Sequence, residues 1–158
     1  RVPVEVIFDA GVGDLFVIRT AGNLVEDVCI ASTEFAVLNL GVGLVMVMGH
    51  RRCGAISAAV HATLSPEELA QLPPVAGGGP VVQGNYLPAL VTKIQPVVDA
   101  VRHMPGDLMD HAVHANAKAM AHRLYSRSTV IADAVRAGHL RIVSACYDLD
   151  TGRVVVLD

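Results

Sequence analysis

The sequence predicts an α/β fold: a mostly parallel sheet flanked by helices, with an antiparallel strand at its C-terminal edge. Three observations carry this reading. "LVMVM", Leu44 to Met48, is a continuous apolar run, the pattern of a parallel strand covered on both faces. Strand-like and helix-like segments alternate along the chain. "LRIVSACYD" and "RVVVL" near the end are joined by "LDTG", a turn short enough to make them antiparallel neighbours.

The elements follow in order. "RVPVEVIFD" opens the chain in helical register, so the sheet lacks a strand at its start. "LFVIRT", Leu15 to Thr20, is rich in β-branched and aromatic residues and predicts a strand. In the "AGN" turn after it, Gly22 can take φ > 0 and Asn23 is placed to cap a helix. From Glu26 to Leu40, Val28, Ala31, Phe35 and Leu38 fall on one helical face. "GVG", Gly41 to Gly43, leads into the buried strand. "AISAAVHATL" predicts a short helix, and "SPEEL" starts another with a capping box of Ser65 and Glu68 and Pro66 in the first turn. Leu72 to Asn85, dense in Gly and Pro, is a loop. Helices follow from about Leu87 to His103, from about Leu108 to Tyr125, and over "STVIADAVRAGH", which stops at Gly138.

A chain of 158 residues fits one domain, 1–158. Its 53% hydrophobic content and mean hydropathy of +0.49 exceed what a core this size needs. The surplus is assigned to a subunit interface. A net charge of −3 and a pI near 6.1 give no reason to expect nucleic acid or an acidic membrane as partner. Aromatics are scarce and tryptophan is absent, which leaves no base-stacking platform. Three widely spaced cysteines do not make a disulfide framework and fit a reducing, cytoplasmic setting. No apolar run approaches the ~20 residues of a membrane span.

His50 and Cys53 stand just past the carboxyl end of the predicted buried strand, where open α/β sheets bind ligands. Cys53 also opens a helix, where free N–H groups favour the thiolate that a transition metal requires. By itself H-x-x-C is a weak motif. The alternative is a buried thiol beside a histidine bonded to a carbonyl. Arg51 and Arg52 between them read as solvated or paired rather than catalytic. The two "GVG" stretches precede strands instead of following them, so neither is a dinucleotide-binding turn. His111, His114 and His122 share a helical face that reads as solvent-exposed, and Cys29 and Cys146 read as small core residues. No G-x-S-x-G or paired-carboxylate constellation is visible.

Taken together, "RVPVEVIFDAGVGDLFVIRTAGN", "GHRRCGA" and "ACYDLDTG" resemble the β-class carbonic anhydrases over nearly the whole chain. In that family a strand ends in Cys-x-Asp-Ser-Arg, followed by Val-Pro. Arg1 before Val2 and Pro3 matches the motif's arginine, so the Cys and Asp belong upstream of the sequence and the domain is N-terminally incomplete. The missing first, central strand is accounted for in the same way. The resemblance implies Zn²⁺ held by that Cys with His50 and Cys53, and Arg1 paired with that Asp. It implies that Phe16, Ala21 and Phe35 line a narrow apolar pocket and that Gly54 stands beside the zinc ligand. The implied reaction is the reversible hydration of carbon dioxide to bicarbonate and a proton, by a homodimer or a multiple of dimers. Residues 1–158 alone would then be inactive. Two alternatives share the fold: a non-catalytic zinc-binding or assembly module, and a hydrolase of carbon disulfide or carbonyl sulfide.

Overall fold

A computed structural model of the chain describes residues 3–72 and 84–157. Arg1 and most of the predicted Leu72–Asn85 loop lie outside them. Among the described residues three strands form the sheet: β1 (Leu44–His50), β2 (Arg141–Tyr147) and β3 (Val154–Leu157), in the order β1-β2-β3. β1 and β2 run parallel, with Leu44 beside Arg141 and His50 beside Tyr147. β2 and β3 are antiparallel, Ser144 facing Leu157 across the ladder. This is the predicted mixed sheet, with the antiparallel strand at the C-terminal edge.

The described residues also form the helices α1 (Val4–Ile7), α2 (Asp27–Leu40), α3 (Gly54–Thr63), α4 (Pro66–Leu69), α5 (Leu87–Val101), α6 (Leu108–Arg127) and α7 (Thr129–Arg136), with a 3-10 turn at Ala21–Asn23. Their ends follow local chemistry. Ser65 and Glu68 close the capping box of α4, with Ser65 N–H donating to Glu68 Oε2 at 2.8 Å and Glu68 N–H to Ser65 Oγ at 3.3 Å. Asp107 accepts from the amides of Met109 and Asp110 at the start of α6, and Ser128 from that of Ile131 at the start of α7. Gly138, at φ 74°, ends α7 in the left-handed conformation that favours glycine.

Long-range packing runs through α6, which lies against both β1 and β2, and through α3 against α5. Ile56 and Val60 of α3, Ile94 and Val98 of α5, Val113 and Leu124 of α6, and Ile131 of α7 are nearly inaccessible to water. Val91, Ile94, Val98 and Val101 recur at the three- and four-residue spacing of one helical face, which is what lets α5 close this core.

Four sequence expectations change. Leu15 to Thr20 form no strand and are exposed throughout. A strand exists only through its ladder, and no described segment pairs with these residues in one. β1 is correspondingly less covered than its apolar run predicts: only Val47 and Gly49 are buried, and Leu44 is exposed. β1 has one strand neighbour among the described residues. On α2 the buried residues are Ile30, Thr33 and Ala36, whereas Val28, Phe35 and Leu38 face outward, Val28 at 78% exposure. Asn23 does not cap α2. It sits in the 3-10 turn at φ 43°, and its Oδ1 accepts from Asn116 Nδ2 at 3.2 Å.

Candidate metal centre

β1 ends at His50 and α3 begins at Gly54, so the turn His50-Arg51-Arg52-Cys53 lies at the carboxyl end of the parallel pair. His50 is half-buried. Its Nδ1 is 2.9 Å from the carbonyl oxygen of Arg51. A carbonyl can only accept, so Nδ1 carries the proton and Nε2 keeps its lone pair. A hydrogen bond to Cys53 raises the pKa of His50 against the opposing effect of burial, and the Arg51 carbonyl adds to the rise.

Cys53 is buried and occupies the N-cap position of α3. Burial pushes its thiol pKa up. The His50 hydrogen bond and the first-turn amides of Ile56 and Ala55 outweigh that, and the net shift is downward. The molecule thus pairs an imidazole, one of whose nitrogens is committed to the Arg51 carbonyl, with a thiol favoured as its anion. That is the donor chemistry zinc selects. Cys146 contrasts: on β2, burial raises its thiol pKa. Among the described residues no group of three or more His, Cys, Asp or Glu gathers to hold a metal ion. His111 instead turns its Nε2 to the carbonyl of Pro105 at 2.9 Å.

The remaining site residues fall in two places. Ala21 is brought to the start of α3 by its turn: a Cβ on neighbouring Gly22 would lie 3.2 Å from Ala55 Cβ and 2.9 Å from Ile94 Cδ1. With φ at 65°, that close approach requires glycine at position 22. Gly54 is exposed, and a Cβ there would meet nothing within 4 Å, so no described residue crowds it. Phe16 and Phe35 come together in a shallow apolar groove with Val28 and Ala31 on the outer face of α2. Neither His50 nor Cys53 lines that groove.

What holds the turn could not be read in advance. Arg51 forms a two-pronged ion pair with Asp110, its Nε 3.0 Å from Oδ1 and its Nη2 on Oδ2, and its Nη1 lies 3.4 Å from Asp148 Oδ2. Arg52 pairs with Asp150 at 2.7 Å. These partners are 59 to 98 positions away in sequence. No local pattern marks them, beyond the general expectation that adjacent arginines find carboxylates.

The carbonic anhydrase family profile matches residues 1–154. The chain is 34% identical over all of its 158 residues to carbonic anhydrase 2 of Mycobacterium tuberculosis, of which it covers 70%. It is 33% identical to the carbonic anhydrase of Mycolicibacterium smegmatis, over 98% of this chain and 68% of that one. Among solved structures, the β-carbonic anhydrase CcaA superposes with a TM-score of 0.75 at 24% identity, over 99% of this chain and 74% of that one. One of two tetrameric β-carbonic anhydrases from Sordaria macrospora gives 0.73 at 22% identity, over 98% and 74%.

Proposed function

The chain belongs to the β-class carbonic anhydrases, and from that premise we propose that it hydrates carbon dioxide reversibly to bicarbonate and a proton, with zinc held by His50, Cys53 and the cysteine of the family motif. The observation that carries the zinc reading is the His50 Nδ1 contact with the Arg51 carbonyl, which leaves Nε2 with the ring's lone pair, on an imidazole that meets a thiol at a helix N-terminus. Zinc, when bound, supplies a Lewis acid that brings a water's pKa near neutrality.

The chain's own residues would do the rest. Cys53 as thiolate, with the motif's cysteine, offsets the metal's charge. Arg1, which lies outside the described residues, would pair with the motif's aspartate and keep it from the metal. Phe16, Ala21 and Phe35 would supply the apolar lining suited to a small nonpolar gas, with Gly54 beside Cys53.

Among the described residues, the groove that Phe16 and Phe35 line includes neither His50 nor Cys53. The proposed pocket is therefore completed across a homodimer, or a multiple of dimers. The exposed apolar side chains support this: Phe16, Val28 and Phe35 share one groove, and Phe8, Ile18 and Leu38 are exposed as well. No described helix is long and apolar enough to cross a membrane. Three free thiols fit a reducing compartment, and the cytoplasm is the proposed location.

The test is one preparation of the protein, its native amino terminus sequenced, carried through metal analysis, light scattering and stopped-flow assay with carbon dioxide and carbonyl sulfide. One zinc per chain, a dimer or its multiple, and carbon dioxide hydration are expected. Hydrolysis of carbonyl sulfide without hydration of carbon dioxide would replace the substrate. A metal-free protein would replace the mechanism.

A further inference from the structure

Resting on the zinc reading above, we infer that Asp110 and Asp148, acting through Arg51, are positioning residues for the metal-ligand turn. Each link is short. The Nδ1–H of His50 donates to the Arg51 carbonyl at 2.9 Å, so the imidazole's orientation depends on where that carbonyl points. Arg51 is held on both sides of its own Cα. Its backbone N–H donates to the Tyr147 carbonyl at 3.0 Å, continuing the β1–β2 ladder past the end of the strand. Its guanidinium is forked onto Asp110 of α6 and reaches Asp148 after β2.

Asp148 is itself fixed. Its Oδ1 accepts from the amides of Asp150 and Thr151, at 2.8 and 3.4 Å, within the β2–β3 turn. The next residue shows why the turn needs holding. Arg52 has φ 55°, a left-handed conformation costly for a residue with a Cβ, which persists only where its surroundings determine it. Asp110 and Asp148 touch neither His50 nor Cys53 in any described hydrogen bond. Their influence on the ligands passes through Arg51.

The fork is specific to arginine. Lysine offers a point charge and cannot occupy both oxygens of Asp110 while reaching Asp148. Groups that orient metal ligands at one remove commonly change metal affinity by roughly 10- to 100-fold when replaced. A weakening of about 10-fold is expected here, because one further residue intervenes.

The experiment measures zinc affinity of the full-length protein by competition with a chromophoric chelator, and the absorption spectrum of the cobalt-substituted form. The variants are Asp110→Asn, Asp148→Asn, Arg51→Lys and Arg51→Gln. Arg102→Gln is the control, since it breaks the comparable ion pair of Arg102 with Glu68 at 2.6 Å, far from the turn in sequence.

Asp110→Asn and Arg51→Gln should each weaken zinc about 10-fold and shift the cobalt bands. Lysine at position 51 should not restore them, and the two changes combined should cost little more than either alone. The control should leave affinity and bands unchanged. If Asp110→Asn does not fold, Asp148→Asn and Arg51→Lys carry the same reading. Variants that melt earlier but bind zinc with wild-type affinity and spectrum overturn the inference and leave only a structural ion pair. A wild-type protein that binds no zinc overturns the metal reading, and this inference with it.

Discussion

Two surfaces of the molecule, the carboxyl end of β1 and β2 and the outer face of α2, handle their side chains in opposite ways. At the strand ends the chain ties its own charges together: Arg51 with Asp110 and Asp148, Arg52 with Asp150. Behind them lie Cys53 and Ile56, both buried. On α2 the chain leaves Val28, Phe35 and Leu38 in water while burying Thr33. Among the described residues, the first surface is completed from within one chain and the second is not. A polar turn can be satisfied by a few ion pairs and hydrogen bonds from neighbouring elements. An apolar helix face needs an area of matching surface.

The sharpest way to break this contrast is at Cys53. Cys53→Ser should abolish zinc binding, while Cys29→Ser and Cys146→Ser retain one zinc per chain by metal analysis. Full zinc in Cys53→Ser would show that the strand-end turn is not a ligand turn. On the other surface, Phe35→Asp or Leu38→Asp should leave the chain folded, because both side chains are exposed, yet shift the proposed dimer to monomer by light scattering. An unchanged dimer would place the interface elsewhere.

A matched pair of truncations sharpens the contrast in energy. Ile56→Ala removes a side chain only 1% exposed, directly behind the turn, and should cost about 2–5 kcal/mol in urea unfolding. Val28→Ala should cost no more than about 0.5 kcal/mol in the monomeric background of Leu38→Asp. Equal losses would mean that α2 buries Val28 within the chain after all. The smallest effect is expected at Arg52→Gly. Glycine relieves the left-handed φ, but loses the exposed pair with Asp150 and gains freedom in the unfolded chain. These offset, and stability in urea unfolding should change by no more than about 0.3 kcal/mol.

Local rules read well in this sequence because their causes are local. The capping box at Ser65 and Glu68, the stop at Gly138 and the turn between β2 and β3 all depend on residues within a few positions of one another. The candidate ligands were legible for the same reason: His50 and Cys53 are three apart, at a visible strand end. Asp110 and Asp148 were not legible as partners of Arg51, because 59 and 97 positions separate them and an isolated aspartate on a helix or after a strand carries no mark of its partner.

By itself, then, the sequence determined which segments are helical, that β1 and β2 are strands, and which thiol and imidazole meet at the end of β1. Periodicity, capping and turn chemistry act over one or two turns of chain, so a string of residues contains them. Only the tertiary structure decided that Leu15 to Thr20, strand-like in composition, have no ladder among the described residues, since pairing needs a neighbour that propensity cannot provide. It also decided that the apolar stripe of α2 faces outward. The spacing of apolar residues tells which side chains share a helical face. Which face meets the core depends on the elements that pack around the helix, here α7 against α2, whose buried residues are Ile30, Thr33 and Ala36.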